Sequence, residues 1–314
     1  MTHSDPDQRR ISMHIHSFSL RFRLRHHPGF DVFGFIDTAG DEGFTGVNIS
    51  ANGPRNRDLG GTTRKHFARV RDHLVDRDMR CELDTSDTRL DNMTTMLEVA
   101  HAVGADRLRT YTKYAGELDD IVRWTIRDLQ LVAPVAADRG ITVVLENHED
   151  FSGPVVARIV AEVDHPNIRA LYDYGNSQMV GEDPVEALMA MRPFVTSVHL
   201  NDHVIVRDAE GTIVQGVAVG DGRLPIIEQT AMLYDGGQRR FCFENVWGYI
   251  AAIKTEVGSL PESPPFSSAH PHRRLDARDL EPAVAVDGEW DAFRRGWDWL
   301  SAELHAAGYV VDRE

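Results

Sequence analysis

Two cysteines in 314 residues cannot build a disulfide framework. Cys81 and Cys242 both fall in strand-like runs, so reduced core thiols and a cytoplasmic setting are expected. No apolar run reaches the ~18 residues that a membrane-crossing helix needs, and no membrane partner is expected. The opening MTHSDPDQRR has no apolar stretch of the secretory kind. Positive charge is scarce: 34 Lys and Arg face 49 Asp and Glu, for a formal net charge of -15. Binding a polyanion requires Lys and Arg to displace condensed counterions, so nucleic acid is an unsuitable partner. There is no GxxxxGK phosphate loop, and VGDGRLP is a lone glycine turn.

What the chain does have is a 42% hydrophobic fraction arranged in a repeating order. Short β-branched or apolar runs predict strands at Ile11–Leu20, Phe44–Ile49, Arg80–Asp84, Arg107–Tyr111, Ile141–Asn147, Ile168–Asp173, Val195–Leu200 and Arg240–Glu244. Stretches of helical period lie between them, at about Asp31–Asp41, Thr63–Arg77, Thr88–Val103, Leu118–Asp138, Pro154–Glu162, Pro184–Met191 and Leu224–Asp235. A last helix is expected over Trp290–Ala307. Parallel strands joined by right-handed crossovers can close as an α/β (β/α)8 barrel under a ring of helices. A doubly wound open sheet competes, but the evenly spread polar strand ends favour the barrel, as a single domain over residues 1–314. Two insertions break the rhythm, at 201–223 after the seventh strand and about 248–287 after the eighth. The first contains DAEG, a turn between two β-like runs. Both should lie on the carboxyl face, where barrel sites are built.

Four strands in succession end in a metal-competent side chain: Glu146 in VVLENHE, Asp173 in ALYDYGN, His199 in SVHLND and Glu244 in FCFENVW. Three clustered carboxylates repel unless some take up protons or a cation joins them. With one imidazole they form a mostly hard donor set, suited to one divalent ion. Mn²⁺ is foremost, and Mg²⁺, Co²⁺, Fe²⁺ or Zn²⁺ are compatible.

The segments GITVVLENH, ALYDYGN followed by EDP, VTSVHLND, VGDGRLP and FCFEN resemble the xylose isomerase-like barrels, the sugar phosphate isomerase/epimerase superfamily. The resemblance implies one metal held by Glu146, Asp173, His199 and Glu244. It implies proton abstraction beside a carbonyl of a sugar or keto-sugar through an enediolate. In epimerases of that family two Glu residues flank the substrate, which makes Glu146 and Glu244 the candidate catalytic pair. His148, two residues beyond Glu146, shares its strand face and becomes a candidate acid/base. Arg109, Arg207 and Asn176 are candidate substrate contacts, and Trp247 a platform for a sugar ring or aglycone. Ketose 3-epimerases of the family carry a His where Asn176 stands, so the likeness to them is not close. ENH and the long insertions also resemble the barrel subunit of C-glycoside deglycosidases, lyases acting on 3-oxo-glycosides with a small β-type partner. The implied partners are a small carbohydrate or glycoside substrate and an oligomer, on that branch a hetero-oligomer.

MHIHSFS offers the competing amidohydrolase-type hydrolase its HxH pair, His14 and His16. That chemistry also wants His on the fifth and sixth strands and Asp on the eighth, where this chain has Glu146, Asp173 and Glu244. His14 and His16 are therefore expected to line the pocket instead. A three-zinc endonuclease would want more His residues.

Overall fold

The β/α rhythm is realised in the computed structural model, which describes residues 8–254 and 273–312. Strands β1 (Arg9–His16), β2 (Gly46–Ser50), β3 (Arg80–Asp84), β4 (Arg107–Thr110), β5 (Thr142–Glu146), β6 (Ile168–Asp173) and β7 (Val195–Leu200) pair in sequence. After a hairpin of β8 (Asp202–Asp208) and β9 (Gly211–Val217), strand β10 (Arg240–Phe243) pairs with both β7 and β1. All of these barrel pairings are parallel, so the sheet closes as a (β/α)8 barrel. The surrounding helices are α1 (Arg21–His26), α2 (Val32–Asp41), α3 (Arg64–Asp76), α4 (Leu90–Val103), α5 (Leu118–Asp138), α6 (Gly153–Val163), α7 (Pro184–Met191), α8 (Ile226–Asp235) and α9 (Pro282–Ala306). Local signals set their ends. Asp183 accepts the N–H groups of Val185 and Glu186 ahead of Pro184, and Gly104 ends α4 in the left-handed region.

The first strand departs from expectation, stopping at His16 rather than Leu20. His16 Nδ1 accepts the Phe18 N–H at 2.9 Å, which turns the chain into a 3-10 helix over Ser17–Leu20. The last helix starts at Pro282, not Trp290. Its Gly288 lies against the Trp247 ring so closely that an added Cβ would meet the ring at 2.3 Å, and its Glu289 accepts the Phe22 and Arg23 N–H groups at the start of α1. The first insertion is the hairpin, turning at Asp208–Gly211, and β11 (Ile250–Ala252) adds antiparallel to β9. Part of the second insertion, 255–272, lies outside the described residues, as does most of the opening decapeptide. A further strand, β12 (Tyr309–Val311), extends the sheet beside Arg9–Ile11.

VGDGRLP cradles a carboxylate of the protein itself. Asp202 accepts the N–H groups of Gly220 and Gly222 at 2.9 Å, and a Cβ on Gly222 would meet its Oδ1 at 2.0 Å. Cys81 and Cys242 are free and buried, as expected. Among the described residues no helix is long and apolar enough to cross a membrane.

The barrel interior is polar in two layers. Below the mouth, Glu82 of β3 reaches Arg107 of β4 at 3.0 Å, Arg240 of β10 at 3.0 Å and Ser197 Oγ of β7 at 2.7 Å. These contacts cross the barrel, so a salt-bridged plug fills its lower section. Burial opposes charge on Glu82, but Arg107, His14 and Arg240 hold its carboxyl down at about 2.

Candidate metal and substrate site

Above the plug, the tips of β5, β6, β7 and β10 bring Glu146, Asp173, His199 and Glu244 together. The buried apolar run of β5 delivers Glu146, and the next residue ties this tip to β6. Asn147 Oδ1 accepts the Asp173 N–H at 2.7 Å, and its Nδ2 donates to the Asp173 carbonyl at 3.2 Å. Asp173 Oδ1 accepts the N–H groups of Gly175 and Asn176, each at 2.9 Å. Asn201 Nδ2 donates to Asp173 Oδ2 at 2.7 Å and to Glu244 Oε2 at 3.1 Å. His199 Nδ1 stands 3.2 Å from Glu146 Oε1 and 3.7 Å from Glu244 Oε2.

Donor atoms of Glu146, Asp173 and His199 all fall within 4.8 Å of one another, a spacing that can hold a metal ion. Both Glu146 oxygens and His199 Nδ1 are buried without a well-aligned hydrogen bond, although Oε2 meets the Arg109 guanidinium and Oε1 lies 3.2 Å from Nδ1. Such under-satisfied acceptors are rare unless a ligand satisfies them. Burial and the neighbouring Glu146 and Glu244 carboxylates push Asp173 up to about 8. Burial opposes charge on His199, but Glu146, Glu244 and Asp84 raise it to about 9. The cluster is short of positive charge, and these mixed oxygen and imidazole donors fit a divalent ion.

Arg109 partly answers that deficit. Its guanidinium contacts Glu146 and lies 3.5 Å from Asp84 Oδ2. Burial would raise the Glu146 carboxyl, yet Arg109 brings it down to about 2. Asp84 also accepts from His16 Nε2 at 2.5 Å. Donor atoms of His16, Asp84 and His199 lie within 4.8 Å as well. However, His16 Nδ1 accepts the Phe18 N–H and Nε2 faces Asp84, so neither ring nitrogen has a lone pair free for an ion.

Glu146, Asp173, Glu244, Asp84 and Arg109 line a cavity of about 340 Å³. That is near the lower bound of ~300 Å³ for small-molecule pockets. His148 lines it, stacked on Tyr111 with ring centroids 3.9 Å apart and planes at 6°. Burial lowers the His148 pKa and favours the neutral imidazole. Arg109, Asn176 and His16 also line the cavity.

Three expected substrate contacts lie elsewhere. His14 is fully buried in the lower layer, 3.9 Å from Glu82, and burial lowers it to about 3. Arg207 is exposed near the hairpin tip, opposite Thr212, because strand alternation there faces solvent. Trp247 packs with Phe22, Ala277 and Ala285 against the start of α9. Tyr249 forms that cavity wall instead, donating to Glu149 and standing edge-on to Phe18 at 6.0 Å. The sequence reading passed over Asp84, though RCELD ends in a carboxylate like the other strand tips. It also passed over Tyr111, Lys113 and Tyr249, which arrive on loops without a periodic signal, and His203 at the start of β8.

The model of the xylose isomerase-like TIM barrel family matches residues 36–256. The uncharacterised protein YihM of Escherichia coli K12 is 26% identical over 215 residues, 68% of this chain and 65% of that protein. A 3-dehydroshikimate dehydratase of Bacillus anthracis is 23% identical over 103 residues, 31% of this chain and 37% of that enzyme. The chain thus spans only 65% and 37% of the lengths of these two relatives. Among solved structures, a xylose isomerase domain protein from Planctomyces limnophilus superposes with a TM-score of 0.64 at 16% identity, covering 94% of this chain and 96% of that one. D-psicose 3-epimerase with D-tagatose from Clostridium cellulolyticum H10 gives a TM-score of 0.64 at 11% identity, covering 91% and 98%. The IOLI protein with a binding zinc atom gives 0.63 at 10% identity, covering 92% and 99%. With the family match spanning most of the barrel, the chain belongs to the xylose isomerase-like TIM barrels.

Proposed function

We propose that this protein is a divalent-metal-dependent enzyme of the sugar isomerase and epimerase kind, which removes a proton beside the carbonyl of a sugar or keto-sugar. The observation that carries the reading is the convergence of Glu146, Asp173, His199 and Glu244, where the Glu146 oxygens and His199 Nδ1 lack a well-aligned hydrogen bond. These four residues would hold the ion, which when bound supplies a Lewis acid for the carbonyl oxygen and its neighbouring hydroxyl. A carboxylate oxygen of Glu146 or Glu244 accepts the proton. The C–H electron pair becomes the second bond between the two carbons, and the carbonyl π pair moves to oxygen, giving an enediolate. Return of a proton to the opposite face gives the epimer; its return to the former carbonyl carbon, with the neighbouring hydroxyl proton passing to the former carbonyl oxygen, gives the isomer.

His148 is placed to share this work. Held flat on Tyr111 and favoured as a neutral imidazole, it can accept a proton and return it to a leaving oxygen. Loss of that oxygen rather than reprotonation at carbon would make the enzyme a lyase. The match to a dehydratase favours this second reading, which extends to elimination from 3-oxo-glycosides. His148→Ala is expected to lower kcat by about 100-fold or more with KM little changed. Steady-state kinetics on any active sugar checks this, and an unaltered kcat removes His148 from the chemistry.

The direct test is metal analysis of the purified protein, followed by a panel of ketoses and 3-oxo-glycosides in deuterated water. Stoichiometric metal and deuterium at the carbon beside the carbonyl are expected, both lost on chelation and regained with Mn²⁺. Full turnover by metal-free protein would refute the proposal.

A further inference from the structure

We propose that Asn48, across the barrel from His199, is a positioning residue that accepts the His199 Nε2–H when Nδ1 binds a cation. The inference rests on the metal-site reading above. Asn48 belongs to β2 and His199 to β7, strands that are not neighbours in the barrel. The Asn48 amide nevertheless reaches across the interior to within 3.0 Å of His199 Nε2, and both residues are fully buried. Nδ1 on the other side of the ring faces Glu146 and Glu244.

A neutral imidazole carries one proton. For Nδ1 to present a lone pair to an ion, the proton must reside on Nε2 and be given to an acceptor. Among the described residues, the hydrogen-bond partner of Nε2 is Asn48. Its amide can meet either tautomer. Nδ2, which faces the ring in this structure, donates to a bare Nε2. Oδ1, buried and without a partner, accepts from Nε2–H once the amide turns by half a revolution about its χ2 bond. Metal-binding histidines commonly donate their second ring N–H to such an oxygen, which fixes the ring and raises its basicity. The register puts Asn48 opposite His16 on β1 and Glu82 on β3, so both neighbouring strands hold it in place.

The test compares wild type, Asn48→Leu and Asn48→Asp. Leu keeps the amide's shape without its acceptor, and Asp keeps the acceptor oxygen without the donor. Titration of Mn²⁺ and Zn²⁺ against a fluorescent competing chelator is expected to show about 10- to 100-fold weaker binding in Asn48→Leu. Asn48→Asp should bind at least as well as wild type. Long-range ¹H–¹⁵N spectra of histidine-labelled, Zn²⁺-loaded wild type should show the His199 proton on Nε2. This measurement needs no variant to fold. Wild-type affinity in Asn48→Leu would overturn the inference while leaving the metal site intact, whereas a proton on Nδ1 in the Zn²⁺-loaded ring would overturn it and also remove His199 from the ligands. Failure of wild type to bind either ion would overturn the site reading and this inference with it.

Discussion

Glu146→Gln is expected to lower kcat/KM by about three orders of magnitude or more, some 4 kcal/mol of barrier at 1.36 kcal/mol per tenfold. The substitution keeps the side chain's shape and removes its charge at the point where β5 meets the cluster. A neutral amide neither accepts the substrate proton nor supplies an anionic donor to a dication. Glu244→Gln should act alike from β10, although its Oε2 is also held by Asn201. Stability should behave differently. Glu146→Gln leaves Arg109 with Asp84 alone, 3.5 Å away, but relieves repulsion that drives the Asp173 pKa upward. These changes oppose one another, so the unfolding free energy should stay within about 1 kcal/mol of wild type. Kinetics and chemical denaturation of the same preparations separate the two effects. Full turnover in either variant would remove that carboxylate from the chemistry.

The plug should show the reverse pattern, with a large stability effect. Glu82 is buried and its carboxyl is held at about 2, against 4.5 when unperturbed. A carboxyl lowered in the folded state stabilises fully above the unfolded value, and the contribution fades as pH falls through the folded one. Glu82 should therefore contribute about 3 kcal/mol near neutral pH, at 1.36 kcal/mol per pKa unit. The contribution should fade between pH 4.5 and about 2. Glu82→Gln should lose stability of that order at pH 7 and show a shallower acid limb, because Arg107 and Arg240 lose the charge they share. Urea denaturation across that pH range reads both. A variant as stable as wild type at pH 7, with an unaltered acid limb, would refute a net contribution from the Glu82 pairing.

The barrel was legible because its strands announce themselves twice, by an apolar run and by a polar tip. Arg80–Asp84, Ile168–Asp173, Val195–Leu200 and the helix Leu118–Asp138 fall at their expected bounds. Four of the site residues lay on those tips or their counterparts, so closure brought them together. The misses occur where a contact distant in sequence decides local form. Ile11–Leu20 alternates like one strand, but a hydrogen bond from the Phe18 backbone to His16 ends it early. PAVAVDGEW has the valines and glycine of a poor helix, and its packing against α1 and Trp247 makes it one. Trp247 and Tyr249 are two residues apart, and sequence alone did not reveal that the first would serve α9 and the second the cavity. Nor did the HxH spacing reveal that His14 and His16 occupy different depths.

The plug also fixes the traffic of the site. Among the described residues, Glu82, Arg107 and Arg240 turn the barrel into a blind-ended cup, closed beneath the carboxylates and open at the loop face. A molecule cannot pass through such a vessel. Whatever reacts there arrives and departs by one doorway, so departing product stands in the path of the next arrival.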